Sequence, residues 1–394
     1  MYLYYFLAAI ACWLGIQSLL SGFRFAAYVR CETSRPLPDF QPFVSVIAPG
    51  RGLEPGLEEN LRAFLQQDYP KYEVIFVFDR EEDPAIRIVE ELSHGFSRMT
   101  GTIIAGPATD SGQKVHNLRV AVTKIAAESE VLVFVDTDAR PERQWLKKLV
   151  APLADEKLGA SSGYRWFVPV NGGIASRLRG VWNASIASAL GGDTSKNFCW
   201  GGSTAIRRTT FERLAVSERW RGTVSDDFTL TRVLREANLP IHFTPNCLVP
   251  SFGDCDFKEL LEFTTRQIKI TRVYSSHLWL PLLIGSSIFT LTFFGGLILL
   301  ILQILQILSN RPLLPLILVI LFALGATKSF IRWRAIRLTG FRDLVAHILL
   351  WPFASLLYLY NAIIAGFSRR ITWRGITYEL KSPNEAVIIS RDPR

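Results

Sequence analysis

The chain is expected to be an α/β protein, a mostly parallel sheet covered by helices and carried between apolar segments at both ends. Three observations predict this. Between residues 44 and 135, short valine-rich runs alternate with stretches whose apolar residues recur at helical spacing. Tyr2 to Leu20 is almost wholly apolar and long enough to cross a bilayer. Beyond residue 277 lie three further apolar stretches, Leu278 to Leu308, Leu313 to Lys328 and Leu344 to Phe367.

The N-terminal stretch has no basic leading region and no small-residue cleavage site, so it reads as an anchor over residues 1–22. Arg24, Arg30 and Arg35 follow it, and the positive-inside rule then puts the next domain in the cytoplasm. After the linker Pro36 to Pro42, that domain is expected over residues 38–275. Val44 to Ala48 is its first strand, and Leu57, Leu61, Phe64 and Leu65 share a helix face. Val74 to Phe78 is a second strand, ending at Asp79, and Ala85, Ile88, Val89, Leu92 and Phe96 form the next helix face. Thr102 to Ala105 is a third strand, followed by a helix through Val115, Leu118, Val122 and Ile125. Val131 to Val135 is the fourth, buried on both faces. Strands separated by helices call for right-handed crossovers.

From Leu158 to Val249 the pattern is less regular. Ile174, Leu178, Val181, Trp182, Ile186 and Ala189 lie at helical spacing, and that helix can pack on the core or lie on a membrane. Ser225 opens another helix through Leu230, Val233, Leu234 and Ala237, and Asp256 caps one running through Thr264 to Gln267. Residues 276–370 form a membrane region of three hydrophobic segments, and residues 371–394 a tail. The last segment divides the signals. Its length predicts a crossing that leaves Arg369, Arg370 and Arg374 on the far side, whereas the charges favour a re-entrant or interfacial segment bent at Pro352. The crossing is the expectation.

The formal net charge is +9, but the basic residues flank the apolar segments, which points to an anionic membrane surface. No nucleic-acid motif is present, so no nucleic-acid partner is expected. Five cysteines with no C-x-x-C pair argue against a disulfide framework and a structural zinc site.

Asp136 and Asp138 leave the carboxyl end of the fourth strand with the two-residue repeat that points side chains the same way. Ligands of open α/β sheets bind at such ends. Two hard oxygen donors suit Mg²⁺ or Mn²⁺ carrying a diphosphate. Asp79 ends a neighbouring strand, and Asp226 and Asp227 stand in the first turn of a helix.

Together these residues make the chain resemble the inverting family 2 nucleotide-sugar glycosyltransferases, and within them the ceramide glucosyltransferase group. The landmarks run from Val44 to Tyr274: Val44-Ser-Val-Ile-Ala-Pro49, Leu65-Gln-Gln-Asp-Tyr-Pro-Lys-Tyr-Glu-Val74, Asp79, Gln113-Lys-Val-His-Asn117, Asp136-Thr-Asp138, Ser225-Asp-Asp227 and Arg266-Gln-Ile-Lys-Ile270. The resemblance implies a Rossmann-like A-type glycosyltransferase domain facing the cytoplasm of a multi-pass membrane protein. It implies a UDP-sugar donor, UDP-glucose in the first instance, and a lipid hydroxyl acceptor such as ceramide or diacylglycerol. Asp79 is similar to the family's uridine-contacting aspartate, with Asp83 as the alternative, and Lys114 to a lysine near the nucleotide. Asp136 and Asp138 match the metal-carrying pair. Asp227 matches the catalytic base, with Asp226 as its like-charged neighbour. Arg266 and Lys269 stand where the family places charge for the leaving diphosphate. Here, however, Lys269-Ile270 replaces an Arg-Trp pair, which removes a bidentate fork and a stacking wall. Two other readings remain open: a processive polysaccharide synthase, and an inactive nucleotide-sugar binding membrane protein.

Overall fold

A computed structural model of the chain describes residues 1–96, 100–336 and 343–392. The described residues fall into two compact units that interleave along the sequence. One takes residues 31–170, 190–253 and 369–394, and the other residues 1–30, 171–189 and 254–368.

The first unit holds a seven-stranded sheet in the order β3-β2-β1-β4-β6-β5-β7. β1 (Val44–Pro49) lies between β2 (Tyr72–Phe78) and β4 (Val131–Phe134), with β3 (Thr100–Ile104) at the edge, and these four are parallel. β6 (Thr204–Arg207) pairs antiparallel with both β4 and β5 (Ala160–Val168), and β5 pairs parallel with β7 (Ile241–Phe252). The mostly parallel sheet expected from the alternating pattern is therefore present, with β6 as its antiparallel member. β4 is a continuous apolar run, and β1 and β2 are apolar apart from Ser45 and Glu73, which hydrogen-bond to each other, because both faces are covered.

Alternate residues feed the two cores. Val44, Val46, Val74, Phe76, Val131 and Val133 face α2 (Leu57–Leu65), α3 (Pro84–His94) and α5 (Trp145–Val150). Ile47, Ile75, Val77, Leu132 and Phe134 face α4 (Gln113–Val122), α7 (Arg208–Arg213), α8 (Val216–Arg219) and α9 (Asp226–Glu236). The predicted faces of the first three helices are the buried ones: Leu57, Leu61, Phe64 and Leu65, then Ala85, Val89 and Leu92, then Val115 and Leu118.

In the second unit, α1 (Tyr2–Thr33), α11 (Ser276–Ile304) and α12 (Leu313–Ile336) are long and apolar enough to cross a membrane. They meet through side chains such as Lys328, whose Nζ donates to Ser18 Oγ at 2.7 Å. α6 (Ile174–Ala187) buries Leu178, Val181 and Trp182 in one cluster with residues of α10 (Phe257–Tyr274) and α14 (Trp351–Phe367). Trp182 stacks on Tyr358 with ring centroids 4.9 Å apart. α6 thus belongs with the apolar helices and not with the sheet. α10 begins with the expected Asp256 cap, completed by Glu259 into a capping box.

The stretch Leu344–Phe367, expected as one crossing, is not a single long helix. The stretch is two helices, α13 (Leu344–Leu349) and α14, with Pro352 in the first turn of the second. The tail after it is an antiparallel sheet, β8 (Arg370–Trp373), β9 (Ile376–Ser382) and β10 (Glu385–Arg391), within the same compact unit as the large sheet. Of the basic residues expected between α12 and α13, Arg337 and Arg342 lie outside the described residues.

Candidate active site

The carboxyl end of β4, the first turns of α4 and α9, and the middle of β5 supply one charged cluster. β4 ends at Phe134, and the turn after it closes with the Ala139 N–H donating to the Asp136 carbonyl at 3.0 Å. That turn lifts Asp136 and Asp138 off the strand end. Arg165, from β5, brings one nitrogen, Nη2, to 3.1 Å from Asp136 Oδ2 and 3.0 Å from Asp138 Oδ1. The two carboxylates therefore converge on one positive atom, as their spacing predicts. The Arg165 guanidinium also lies 5.2 Å from the Trp200 ring centre.

Lys114 stands in the first turn of α4. Its Nζ reaches Asp136 Oδ1 at 2.8 Å and Asp226 Oδ1 at 3.2 Å, and donates to the Gly201 carbonyl at 3.3 Å. A Cβ at Gly201 would run into Asp226 Oδ2 and sit 2.7 Å from that nitrogen, so any larger residue there would have to displace this pair. Burial disfavours a charged Lys114, but Asp136, Asp226 and Asp227 outweigh it and hold its pKa above the ordinary lysine value. Burial likewise raises Asp136, and Lys114 with Arg165 more than reverse this, so its pKa is lowered.

Ser225 caps α9 and sets its first two residues apart. Asp226 is buried, at 4% exposure, and faces Lys114. Burial, with Asp227 and Asp136 adding to it against Lys114, pushes its pKa up to about 6. Asp227 is half-buried, and its Oδ1 accepts from Ser225 Oγ and from the Phe228 N–H at 2.7 Å. The pair thus divides into a buried acid tied to the lysine and an acid oriented by the helix cap.

Asp79 follows β2 and is 8% exposed. Arg51 Nη1 lies 3.6 Å from its Oδ2, while Asp79 Oδ1 and Arg51 Nη1 are buried without a hydrogen-bond partner. An ion-paired buried carboxylate and guanidinium whose Oδ1 and Nη1 make no hydrogen bond leave hydrogen-bonding capacity for a polar ligand edge. Asp83 is placed differently: its Oδ1 caps α3 through the Ala85 N–H and its Oδ2 accepts from the Gly52 N–H at 2.8 Å. Both oxygens are thus engaged by backbone. Arg266 and Lys269 lie on α10 in the other unit, where Arg266 stacks 5.6 Å from the Phe263 ring centre and Lys269 Nζ donates to Ser368 Oγ at 3.4 Å.

Arg165 and Arg51 were not anticipated. A lone arginine within the apolar strand Tyr164-Arg-Trp-Phe167 was one signal, and an arginine between Gly50 and Gly52 at a strand end was the other.

The family model for glycosyl transferase family 21 matches residues 3–386. A ceramide glucosyltransferase of Komagataella phaffii is 31% identical over 88 residues, 21% of this chain and 17% of that protein. Glycosyltransferase AglE of Haloferax volcanii is 28% identical over 137 residues, 34% of this chain and 43% of that protein. The matches thus span less than half the length of these curated relatives. Among solved structures, the mannosyltransferase PcManGT of Pyrobaculum calidifontis, in complex with GDP-Man and Mn²⁺, is 18% identical with a TM-score of 0.48, covering 92% of this chain and 99% of that one. The family match extends over nearly the whole chain, from the first apolar helix through the charged cluster to the tail sheet, and the chain therefore belongs to glycosyl transferase family 21.

Proposed function

We propose that the protein is a membrane-bound inverting glycosyltransferase that moves a single hexose, glucose in the first instance, from a UDP-sugar to the hydroxyl of a ceramide-like or diacylglycerol lipid. The observation that carries this reading is the cluster of Lys114, Asp136, Asp138, Arg165 and Asp226 at the carboxyl ends of parallel strands. Three helices long and apolar enough to cross a membrane, and basic residues gathered on the domain's side, support a lipid acceptor and a cytoplasmic domain.

Asp79 and Arg51 would read the base, and Lys114 would meet the diphosphate. The acceptor oxygen bonds to the sugar C1 while the bond from C1 to the diphosphate oxygen breaks. UDP departs with that electron pair, and the acceptor proton passes to Asp227, which the α9 cap orients. Attack from the face opposite the diphosphate turns an α-linked donor into a β-glycolipid. Asp226, held by Lys114, keeps negative charge beside the base. Arg266 and Lys269 would offer further positive charge to the leaving group.

Asp136 and Asp138 fit a divalent cation, Mg²⁺ or Mn²⁺, because an oxygen of each already converges on a single positive atom. Among the described residues no three His, Cys, Asp or Glu side chains form a ready-made cage, so donor phosphates would complete the shell. Such an ion would neutralise diphosphate charge.

The test is incubation of native membranes holding the protein with labelled UDP-glucose, followed by mass spectrometry of the products. One sugar on a lipid is expected. Label found only in a water-soluble product or in a polymer would overturn the reading. Asp138→Ala should remove metal-dependent donor binding in a folded protein, and UDP-glucose affinity unchanged by EDTA would refute the metal role.

A further inference from the structure

The tail sheet is the part of the chain that this mechanism leaves unused, yet its contacts are not those of a loose terminus. β9 alternates, burying Ile376, Tyr378 and Leu380. From this sheet, side chains reach the segments that carry the charged residues of the site. The Gln113 N–H, at the start of α4 and next to Lys114, donates to Tyr378 Oη at 3.1 Å. Arg391 donates to Gln113 Oε1 at 3.2 Å and to the Ala108 carbonyl. Arg374 pairs with Glu54, three residues beyond Arg51. Arg232 of α9 donates to Asn384 Oδ1 in the β9–β10 turn at 2.5 Å.

We propose that the C-terminal sheet is part of the nucleotide-binding site: Arg374, Tyr378 and Arg391 hold the Arg51 loop and the first turn of α4 around the donor's nucleoside diphosphate. The Arg51–Asp79 ion pair, whose Nη1 and Oδ1 make no hydrogen bond, lies at this end of the site. It offers an acceptor and a donor side by side, the complement of a base edge that places an N–H beside a carbonyl. Tyr378 lies in the same electrostatic neighbourhood, since Arg391, Arg51 and Asp79 all act on its phenol. Burial raises that phenol above its ordinary value, so it keeps its proton, accepting from the Gln113 N–H with one lone pair and retaining an O–H to donate. These are positioning residues. Without them the first turn of α4 loses a buried acceptor and the Arg51 loop loses its ionic tether. The cost falls on nucleotide affinity before it falls on the chemical step.

This inference rests on the nucleotide-sugar reading, and the experiment separates the two. UDP binding by the full-length protein in lipid nanodiscs is measured calorimetrically, with thermal unfolding recorded alongside. If the wild type binds no UDP, the nucleotide-sugar reading fails first. Given wild-type binding, Tyr378→Phe and Arg374→Ala should each weaken UDP by roughly tenfold, the scale of a lost buried hydrogen bond or ionic tether, and Arg374→Lys should recover most of it. For transfer, the donor KM should rise more than kcat falls. UDP affinity within about threefold of wild type in both folded variants would overturn the proposal. A variant that fails to fold leaves a second measurement on the wild type. Amide exchange across 371–381 should slow when UDP is added, and unchanged exchange there would overturn the proposal equally.

Discussion

Asp226 and Asp227 are neighbours in sequence with different surroundings, and single substitutions should separate them. Asp227→Asn keeps shape and cap geometry but cannot take a proton. UDP binding should persist while turnover falls roughly 10²–10⁴-fold, the usual share of a general base. Single-turnover kinetics checks this, and turnover within about threefold of wild type would remove Asp227 from the role. Asp226 makes a different prediction, in stability. Its folded pKa of about 6 lies above its ordinary value of 3.8. Between those values the native state binds more protons than the unfolded chain, so this residue's contribution falls as pH rises through the window and is level above it. Thermal unfolding from pH 4 to 7 should show that decline in the wild type, and Asp226→Asn should flatten it. Arg165 occupies the position between Asp136 and Asp138 where a divalent ion would sit. Arg165→Gln should therefore tighten Mn²⁺ binding about fivefold, since a partly exposed ion pair is worth up to about 1 kcal/mol. Paramagnetic titration of free Mn²⁺ measures it.

At the scale of elements, the register of β5 and β7 shifts between Ser162 and Tyr164, at Gly163. A Cβ there would run into the Cys247 carbonyl and come within 2.6 Å of Ser203 Oγ. Backbone cannot yield as a flexible side chain can, so Gly163→Ala should cost about 1–3 kcal/mol, read as a lower unfolding temperature. The shift matters for the site because Arg165 lies two residues further along β5. The helices that set Lys114 and the Asp226–Asp227 pair depend on their first turns. Ser225 supplies a side-chain cap to α9, whereas α4 begins at Gly112 without one and takes Tyr378 from the tail instead.

For the whole molecule, the tail strands share a compact unit with the large sheet, so both must face one side of the membrane. Once the native cysteines are replaced, single cysteines at the exposed positions Ser390 and Lys124 should react alike with an impermeant thiol reagent. With a cytoplasmic domain, both should label only after the membrane is opened. Labelling at Ser390 alone in intact cells would instead support a crossing at Leu344–Phe367.

The parallel half of the sheet, its covering helices and the strand-end positions of Asp79, Asp136 and Asp138 were legible in the chain, because each depends on local periodicity. A buried parallel strand announces itself by a continuous apolar run, and its end by the first carboxylate. The long apolar helices were legible for the same reason. The strands after Leu158 were not. β5, β6 and β7 are defined by pairing across tens of residues, and no short-range pattern records which strand will lie beside which. The same holds for the site. Sequence spacing placed two acids at the end of β4, but only the fold brought Arg165 between them and Lys114 onto Asp136 and Asp226. The tail is the clearest case. Its charges argued for the domain's side and the length of the preceding segment argued against it. Only the fold shows where the tail packs, through the hydrogen bonds that join Tyr378 and Arg391 to Gln113, because contacts between residues more than 250 positions apart exist only once the chain has folded.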